Sequence, residues 1–281
     1  VDEYLNGRTP NPCVLCNTHI KWEALLKRAD AMGCDFIATG HYAKIRQLDN
    51  GRFVVSKAID DTKDQSYALW GLQQDLLSRT ILPLGTYHKK DIRQMAMDMG
   101  YPELAKKSES YEICFVPDND YRGFLKRNVD GLEDKVNGGW FVDKEGKKLG
   151  QHKGYPFYTI GQRKGLNVGG KPEPLFVIGI DTTENVVYVG QSEEHKGLHR
   201  KGLFIPQVDV HWLREDLKLT VGETAEYKGR IRYRQELVKL TLFQREEGMY
   251  VLFDQLMKGV TPGQFLAWYN DDELIGSGTI S

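Results

Sequence analysis

Helical spacing of apolar residues fades near residue 125, and that change of period constrains the fold of this chain more than any other feature. Before it, helix-length amphipathic stretches alternate with short apolar runs, the pattern of an α/β unit. Beyond it glycine becomes frequent and β-like runs alternate with turns, as in 174–180 and 185–190. From about residue 204 the runs 224–227, 237–242 and 249–253 recur at even spacing, which suggests a small antiparallel barrel or sandwich. A chain of 281 residues is long for one core, so the reading is three domains: 1–125, 126–203 and 204–281.

In the first domain a helix under way by Ile20 is expected to bury Ile20, Trp22, Leu25, Leu26, Ala29 and Met32, closing at a left-handed Gly33. A buried strand follows over 34–39 and ends at Gly40-His41, where open α/β sheets present ligand-binding groups. Asn50-Gly51 predicts a type I′ hairpin between 43–46 and 53–55. Helices are expected over 66–77 and 89–99, the second closed by Gly100 and Pro102.

The net charge of −1 singles out no partner, so a nucleic-acid surface must come from local clustering. Two clusters stand out. Lys228, Arg230, Arg232 and Arg234 alternate and, on a strand, would share one face, which reads either as an anion-facing surface or as a charge-defended edge. Residues 121–171 carry eleven Lys or Arg against five Asp or Glu, with Tyr155, Phe157 and Tyr158 interleaved, which suits a structured RNA better than a small anion. No apolar run approaches the roughly 20 residues that span a bilayer, and no leader is evident, so the expected location is cytoplasmic, with no membrane partner. The chain opens Val1-Asp2-Glu3 without an initiator Met, which suggests part of a longer protein.

Four cysteines in a chain this size argue for free, metal-bound or catalytic thiols. Cys13-Val14-Leu15-Cys16 sits on a Pro-containing loop before a helix, and Cys114 lies in a polar loop bordered by Ile113, Phe115 and Val116. Zinc would need a second close pair, which is missing; a thioredoxin-like pair would need a lead-in strand. Cys34 suits a buried core site, whereas Cys16 and Cys114 read as reactive.

Thr9-Pro10-Asn11-Pro12 leading to Cys16-Asn17, Ala38-Thr39-Gly40-His41-Tyr42-Ala43, Lys63-Asp64-Gln65-Ser66-Tyr67, Ile113-Cys114-Phe115, Thr159-Ile160-Gly161-Gln162-Arg163-Lys164-Gly165 and Arg232-Tyr233-Arg234-Gln235 together resemble the tRNA-specific 2-thiouridylase family. The blocks follow the family's order over nearly the whole chain, to Thr261-Pro262-Gly263-Gln264. The resemblance implies an α/β adenine-nucleotide alpha-hydrolase-like (PP-loop) catalytic domain lacking its N-terminal part, then a small mainly β central domain and a C-terminal antiparallel β-barrel. It implies an enzyme that uses ATP, with Mg2+, to exchange the C2 oxygen of the wobble uridine of tRNA for sulfur delivered by an upstream persulfide sulfur-relay protein or cysteine desulfurase.

By the same resemblance Cys114 carries the persulfide and Cys16 is the second catalytic cysteine. Either Cys16 attacks that persulfide, releasing hydrosulfide and leaving a disulfide, or the persulfide attacks C2 directly. Gly40 is implied to contact ATP, and Asn11, Pro12, Cys13, His41, Lys63, Asp64, Gln65, Arg232, Tyr233 and Gln264 to contact tRNA or hold a base drawn out of the anticodon stack. Cys13 stands where some members have aspartate, so an acid or base role there does not carry over. The family's Ser-Gly-Gly-x-Asp-Ser phosphate loop is absent from these residues, and little adenylation is expected of them alone. A nonenzymatic RNA-binding module would explain the basic clusters alone, and a thiol redox protein the cysteines alone.

Overall fold

A computed structural model describes residues 1–107, 116, 118, 120–170 and 172–281. After a short helix α1 (Asp2–Leu5), Pro12 opens a long helical stretch: α2 (Pro12–Leu15), a π-helical segment (Cys16–Ala24) and α3 (Leu25–Ala31). Helix therefore starts earlier than the apolar spacing indicates, and Cys13 and Cys16 lie within it instead of on a preceding loop. The face differs too. Val14, Trp22, Leu26 and Ala29 are buried, while Ile20, Leu25 and Met32 are exposed, because π-helical winding rotates the stripe away from a 3.6-residue period. Gly33 is left-handed, as its place after the last turn requires.

The strand expected over 34–39 shortens to β1 (Ile37–Ala38), and Cys34 is exposed, its carbonyl accepting from Arg79. β2 (Ala43–Gln47) and β3 (Phe53–Lys57) form the expected hairpin. Its turn is not type I′: only Gly51 has positive φ, Gly51 N–H donates to the Leu48 carbonyl and Leu48 N–H to the Arg52 carbonyl, so the loop is one residue longer at its base. In place of a helix over 66–77, a 3₁₀ turn (Ser66–Ala68) and a bend precede α4 (Gln74–Ser78), which sends Tyr67, Leu69, Leu72 and Leu77 into the core. β4 (Thr80–Ile81) pairs in parallel with β1. α5 (Lys89–Asp98) ends at left-handed Gly100, and Pro102 starts α6 (Pro102–Lys106) instead of serving only as a stop.

The central part begins with α7 (Tyr121–Asn128) and α8 (Leu132–Val136). Then come β5 (Trp140–Val142), β6 (Lys148–Gln151), β7 (Leu175–Asp181) and β8 (Val186–Gln191), in spatial order β6-β5-β8-β7. Leu125, Phe141, Phe157, Val177, Val187 and Val189 fill its core.

The C-terminal part comprises β9 (His199–Pro206), β10 (Val210–Trp212), β11 (Thr224–Arg230), β12 (Val238–Gln244), β13 (Gly248–Lys258), β14 (Phe265–Asn270) and β15 (Glu273–Thr279). Its sheet runs β2-β3-β15-β14-β11-β12-β13-β9, with β10 also on β15, so the hairpin of the first region extends the C-terminal sheet through Ser56 and Glu273. A shared core follows from this. Trp22, Leu26, Ile37 and Tyr67 pack in the same cluster as Phe265, Ala267, Tyr269 and Leu274.

The basic strand is also corrected. β11 stops at Arg230, residues 231–234 turn away with Arg234 at φ 67°, and Arg230 is buried while Lys228 pairs with exposed Asp271. Four like charges on one strand face repel, and the backbone breaks the alternation before they line up.

Candidate nucleic-acid and sulfur-transfer site

Asn11 caps the cysteine-bearing helix, its side-chain oxygen accepting from the Cys13 N–H at 3.2 Å, and Pro12 takes the first helical position. Three residues apart, Cys13 and Cys16 sit one turn from each other, the first exposed and the second partly so. The opposite side of the helix is anchored. Asn17 is buried and donates through Nδ2 to the Ala68 carbonyl at 2.9 Å. A Cβ on Gly71 would lie 2.4 Å from Thr18 Oγ1, so glycine there lets the 66–72 segment press against this helix.

Gly40 and His41 follow β1. His41 Nδ1 lies 2.8 Å from Thr39 Oγ1, and the ring packs against Trp22 with centroids 5.2 Å apart. Burial, helped by the nearby Lys21 charge, pushes the imidazole pKa down to about 4, so His41 is neutral at pH 7. The nearest atom to a Cβ built on Gly40 is Leu84 Cδ1 at 3.6 Å, which leaves a ligand room to approach the backbone.

The Lys63-Asp64-Gln65 loop is held from two sides. Gln65 N–H donates to the Tyr42 carbonyl at 2.7 Å while Gln65 Oε1 accepts from Tyr42 N–H at 2.9 Å, fixing the residue beside His41. Lys63 N–H donates to the Asp60 carbonyl, and the Lys63 side chain is part-exposed. The Asp64 carboxylate faces inward. It accepts from Ala58 N–H, Ser66 N–H, Ser66 Oγ and Arg230 Nη2, so the expected tRNA contact by this side chain is replaced by an internal one.

Distant motifs meet at Thr9. Its N–H donates to the Pro262 carbonyl at 2.9 Å, its carbonyl accepts from Gln264 Nε2 at 2.7 Å, and its hydroxyl lies 3.1 Å from Thr159 Oγ1. Beside it a cavity of about 590 Å³ is walled by Thr159, Gly161, Gln162, Arg232, Tyr233 and Gln264, together with Tyr121 and Arg122. Arg232 is braced by the Gly259 carbonyl at 2.8 Å, and the Gly161-Gln162 turn is pinned to β7 by two backbone hydrogen bonds with Val177. Tyr4 and Tyr121, stacked 5.9 Å apart, border both this cavity and a second one of about 690 Å³ that reaches Asn11, Pro12, Leu15 and Trp70.

The structure thus brings Arg232, Tyr233 and Gln264 to one cavity and Asn11 and Pro12 to its neighbour. Gly40, His41 and the 63–65 loop border neither, and Cys114 lies outside the described residues. Thr9 opens one of the family-like blocks but carries no expected contact of its own, and Tyr121, Arg122 and Trp70 are not singled out by the sequence. The aromatic-basic pair Tyr121-Arg122 opening a helix was the available signal. Among the described residues no cluster of three or more His, Cys, Asp or Glu is placed to hold a metal, and no helix is long and apolar enough to cross a membrane.

Comparison with known proteins agrees with this geometry. Residues 1–118 match the family described as tRNA methyl transferase HUP domain, 123–191 the tRNA methyl transferase PRC-barrel domain, and 205–280 the aminomethyltransferase beta-barrel domain. That order, an α/β HUP domain, then a PRC barrel, then a β-barrel, defines the class. The tRNA-specific 2-thiouridylase MnmA of Cytophaga hutchinsonii is 53% identical over 278 residues, covering 99% of this chain and 73% of the relative. Those of Amoebophilus asiaticus and Salinibacter ruber are 50% and 48% identical, with 72% and 71% of their lengths covered. The chain belongs to the tRNA-specific 2-thiouridylase family.

Proposed function

We propose that this protein 2-thiolates the wobble uridine of tRNA in the cytoplasm, with Cys16 and Cys114 as its catalytic cysteines. The observation that carries the reading is the meeting of three separate sequence blocks, 159–162, 232–233 and 264, around one cavity, which shares Tyr4 and Tyr121 with the neighbouring cavity bordered by Pro12 and Leu15 of the cysteine-bearing helix. A cavity walled by aromatic rings, an amide and arginines suits an unstacked nucleotide. The tRNA contacts are Asn11, Pro12, Cys13, His41, Lys63, Gln65, Arg232, Tyr233 and Gln264, on a three-part chain divided near 125 and 203. Asp64 acts from inside the fold.

A uracil carbonyl is a poor electrophile, and ATP with Mg2+ supplies the adenylyl group that makes its oxygen a leaving group. Gly40 has the open backbone approach that an adenosine needs, but no glycine-rich phosphate cradle occurs in this sequence, so no step through the nucleotide is assigned to these residues. Sulfur arrives as a persulfide on Cys114 from a sulfur-relay protein or desulfurase. In one route the Cys16 thiolate attacks the inner sulfur, hydrosulfide leaves to attack C2, and the Cys16–Cys114 disulfide is later reduced by an external thiol. In the other the terminal persulfide sulfur attacks C2 itself, and Cys16 then cleaves the S–S bond.

The test is transfer of labelled sulfur from a persulfide donor to unmodified tRNA by the full-length protein, with ATP and Mg2+, beside Cys16→Ser and Cys114→Ser variants. The reading expects label in tRNA only when both cysteines are present. Equal labelling by either variant overturns the two-cysteine assignment, and disulfide exchange without RNA would favour a thiol redox protein.

A further inference from the structure

Asp64 and Arg230 stand 166 positions apart, yet their side chains meet at 2.5 Å with 0% and 3% exposure. The pair is embedded in polar contacts: Arg230 Nη2 also donates to Tyr269 Oη at 2.9 Å, and Ser66 Oγ lies 3.1 Å from the same hydroxyl. The guanidinium sits by the rings of Tyr67 and Tyr269, with centroids 5.6 and 5.2 Å away. Burial opposes its charge, but Tyr269 and Asp64 outweigh that and hold the guanidinium more firmly charged than usual. Arg230 Nε nevertheless has no hydrogen-bond partner among the described residues. An apolar pair would fill such a site with no orphaned donor, so stability alone is a weak reason for an ion pair here.

What distinguishes the cluster is what it joins. Asp64 lies between Lys63 and Gln65, and Gln65 is locked to the residue beside His41. Arg230 closes β11 immediately before the turn that carries Arg232 and Tyr233, and Tyr67 Oη reaches the Ile231 carbonyl at 3.3 Å and that of Phe265 at 2.7 Å. From the same 3₁₀ turn, the Ala68 carbonyl holds Asn17, next to Cys16. Three surfaces with separate places in the chain are therefore fixed to one buried group of side chains.

We infer that Asp64 and Arg230 are positioning residues, which set the 63–65 loop and the 231–235 turn at the separation that tRNA requires over the Cys16 helix. The inference rests on the tRNA-thiolating reading above. Neither side chain touches the substrate; each acts through its neighbours.

The experiment compares full-length wild type with Asp64→Asn, Arg230→Met and the double variant. Asp64→Asn keeps the shape and the backbone contacts but removes the counter-charge, while the double variant removes both charges and relieves the mismatch. Amide hydrogen exchange over 231–235, melting temperature, and kcat and KM for tRNA are read in each. Asp64→Asn is expected to speed exchange at 231–235 about tenfold and raise KM for tRNA about tenfold with kcat little changed, the scale of coupling through a shared network. The double variant is expected to recover melting temperature without recovering KM. If KM returns together with melting temperature, the pair is merely structural and the inference is overturned. Unchanged exchange at 231–235 in Asp64→Asn overturns it as well. If wild type itself fails to thiolate tRNA, the functional reading falls, and exchange at 231–235 still decides whether the two segments are coupled.

Discussion

At the scale of single residues, charge and burial decide more than identity does. Removing one partner of a buried ion pair leaves the other charge without compensation, so Asp64→Asn is expected to cost about 3–5 kcal/mol, measurable as a fall in the urea midpoint. His41 gives a pH dependence of definite sign. Its folded pKa is about 4 against 6.5 for the free side chain, so below pH 6.5 the unfolded chain binds a proton that the folded chain refuses. The stability it contributes is complete above pH 6.5, falls by roughly 1 kcal/mol per pH unit, and levels out below about pH 4. Urea midpoints from pH 7 to 4 should fall less steeply in His41→Gln than in the parent. Residue identities were legible in sequence because the motifs are local; orientation was not. Nothing in Lys63-Asp64-Gln65 says that the middle side chain turns inward to an arginine 166 positions away.

At the scale of elements, the runs of 174–180 and 185–190 announced β7 and β8, since β-branched residues between turns have few alternatives. Two elements misled for opposite reasons. The alternating charges of 228–234 obey a strand period, but electrostatic repulsion and a buried partner for Arg230 end the strand early. The 66–77 stretch has helical residues, yet close packing at Gly71 against Thr18 requires a bend, and tertiary contact overrides propensity. The turn before β14 supports a prediction. Gly263 has φ 87°, and a Cβ there would lie 3.0 Å from both the N and O of Thr9. Gly263→Ala is expected to cost about 1–3 kcal/mol and to weaken tRNA binding. Gly222→Ala, at φ 95° with open space around it, isolates the backbone strain, so the difference in melting temperature between the two variants reports the Thr9 contact.

At the scale of the whole molecule, the boundaries drawn from sequence follow composition, whereas the core does not. The β2-β3 hairpin lies within the first 125 residues but extends the C-terminal sheet, and β9, which spans the expected division at 203, pairs with β13 along its length. Sequence period cannot reveal such exchange, because each strand looks alike whichever sheet it joins. The shared core predicts shared unfolding. Trp268 lies in a second cluster, but on β14, whose Phe265, Ala267 and Tyr269 pack with Trp22, so in single-tryptophan variants Trp22 and Trp268 should report coincident urea transitions, while Trp140, in the separate central sheet, is free to report another. Two separate midpoints for Trp22 and Trp268 would contradict that coupling through β14.

Thr9 carries a consequence for the making of the protein. Its partners are Thr159, Pro262 and Gln264, so Thr9 stays without the last of its contacts until 255 further residues have been joined to it. At translation rates of about 5–20 residues per second, those 255 residues take roughly a quarter of a minute or more. For that interval the wall that Gln264 contributes does not exist, and the cavity beside Thr9 stays open on that side.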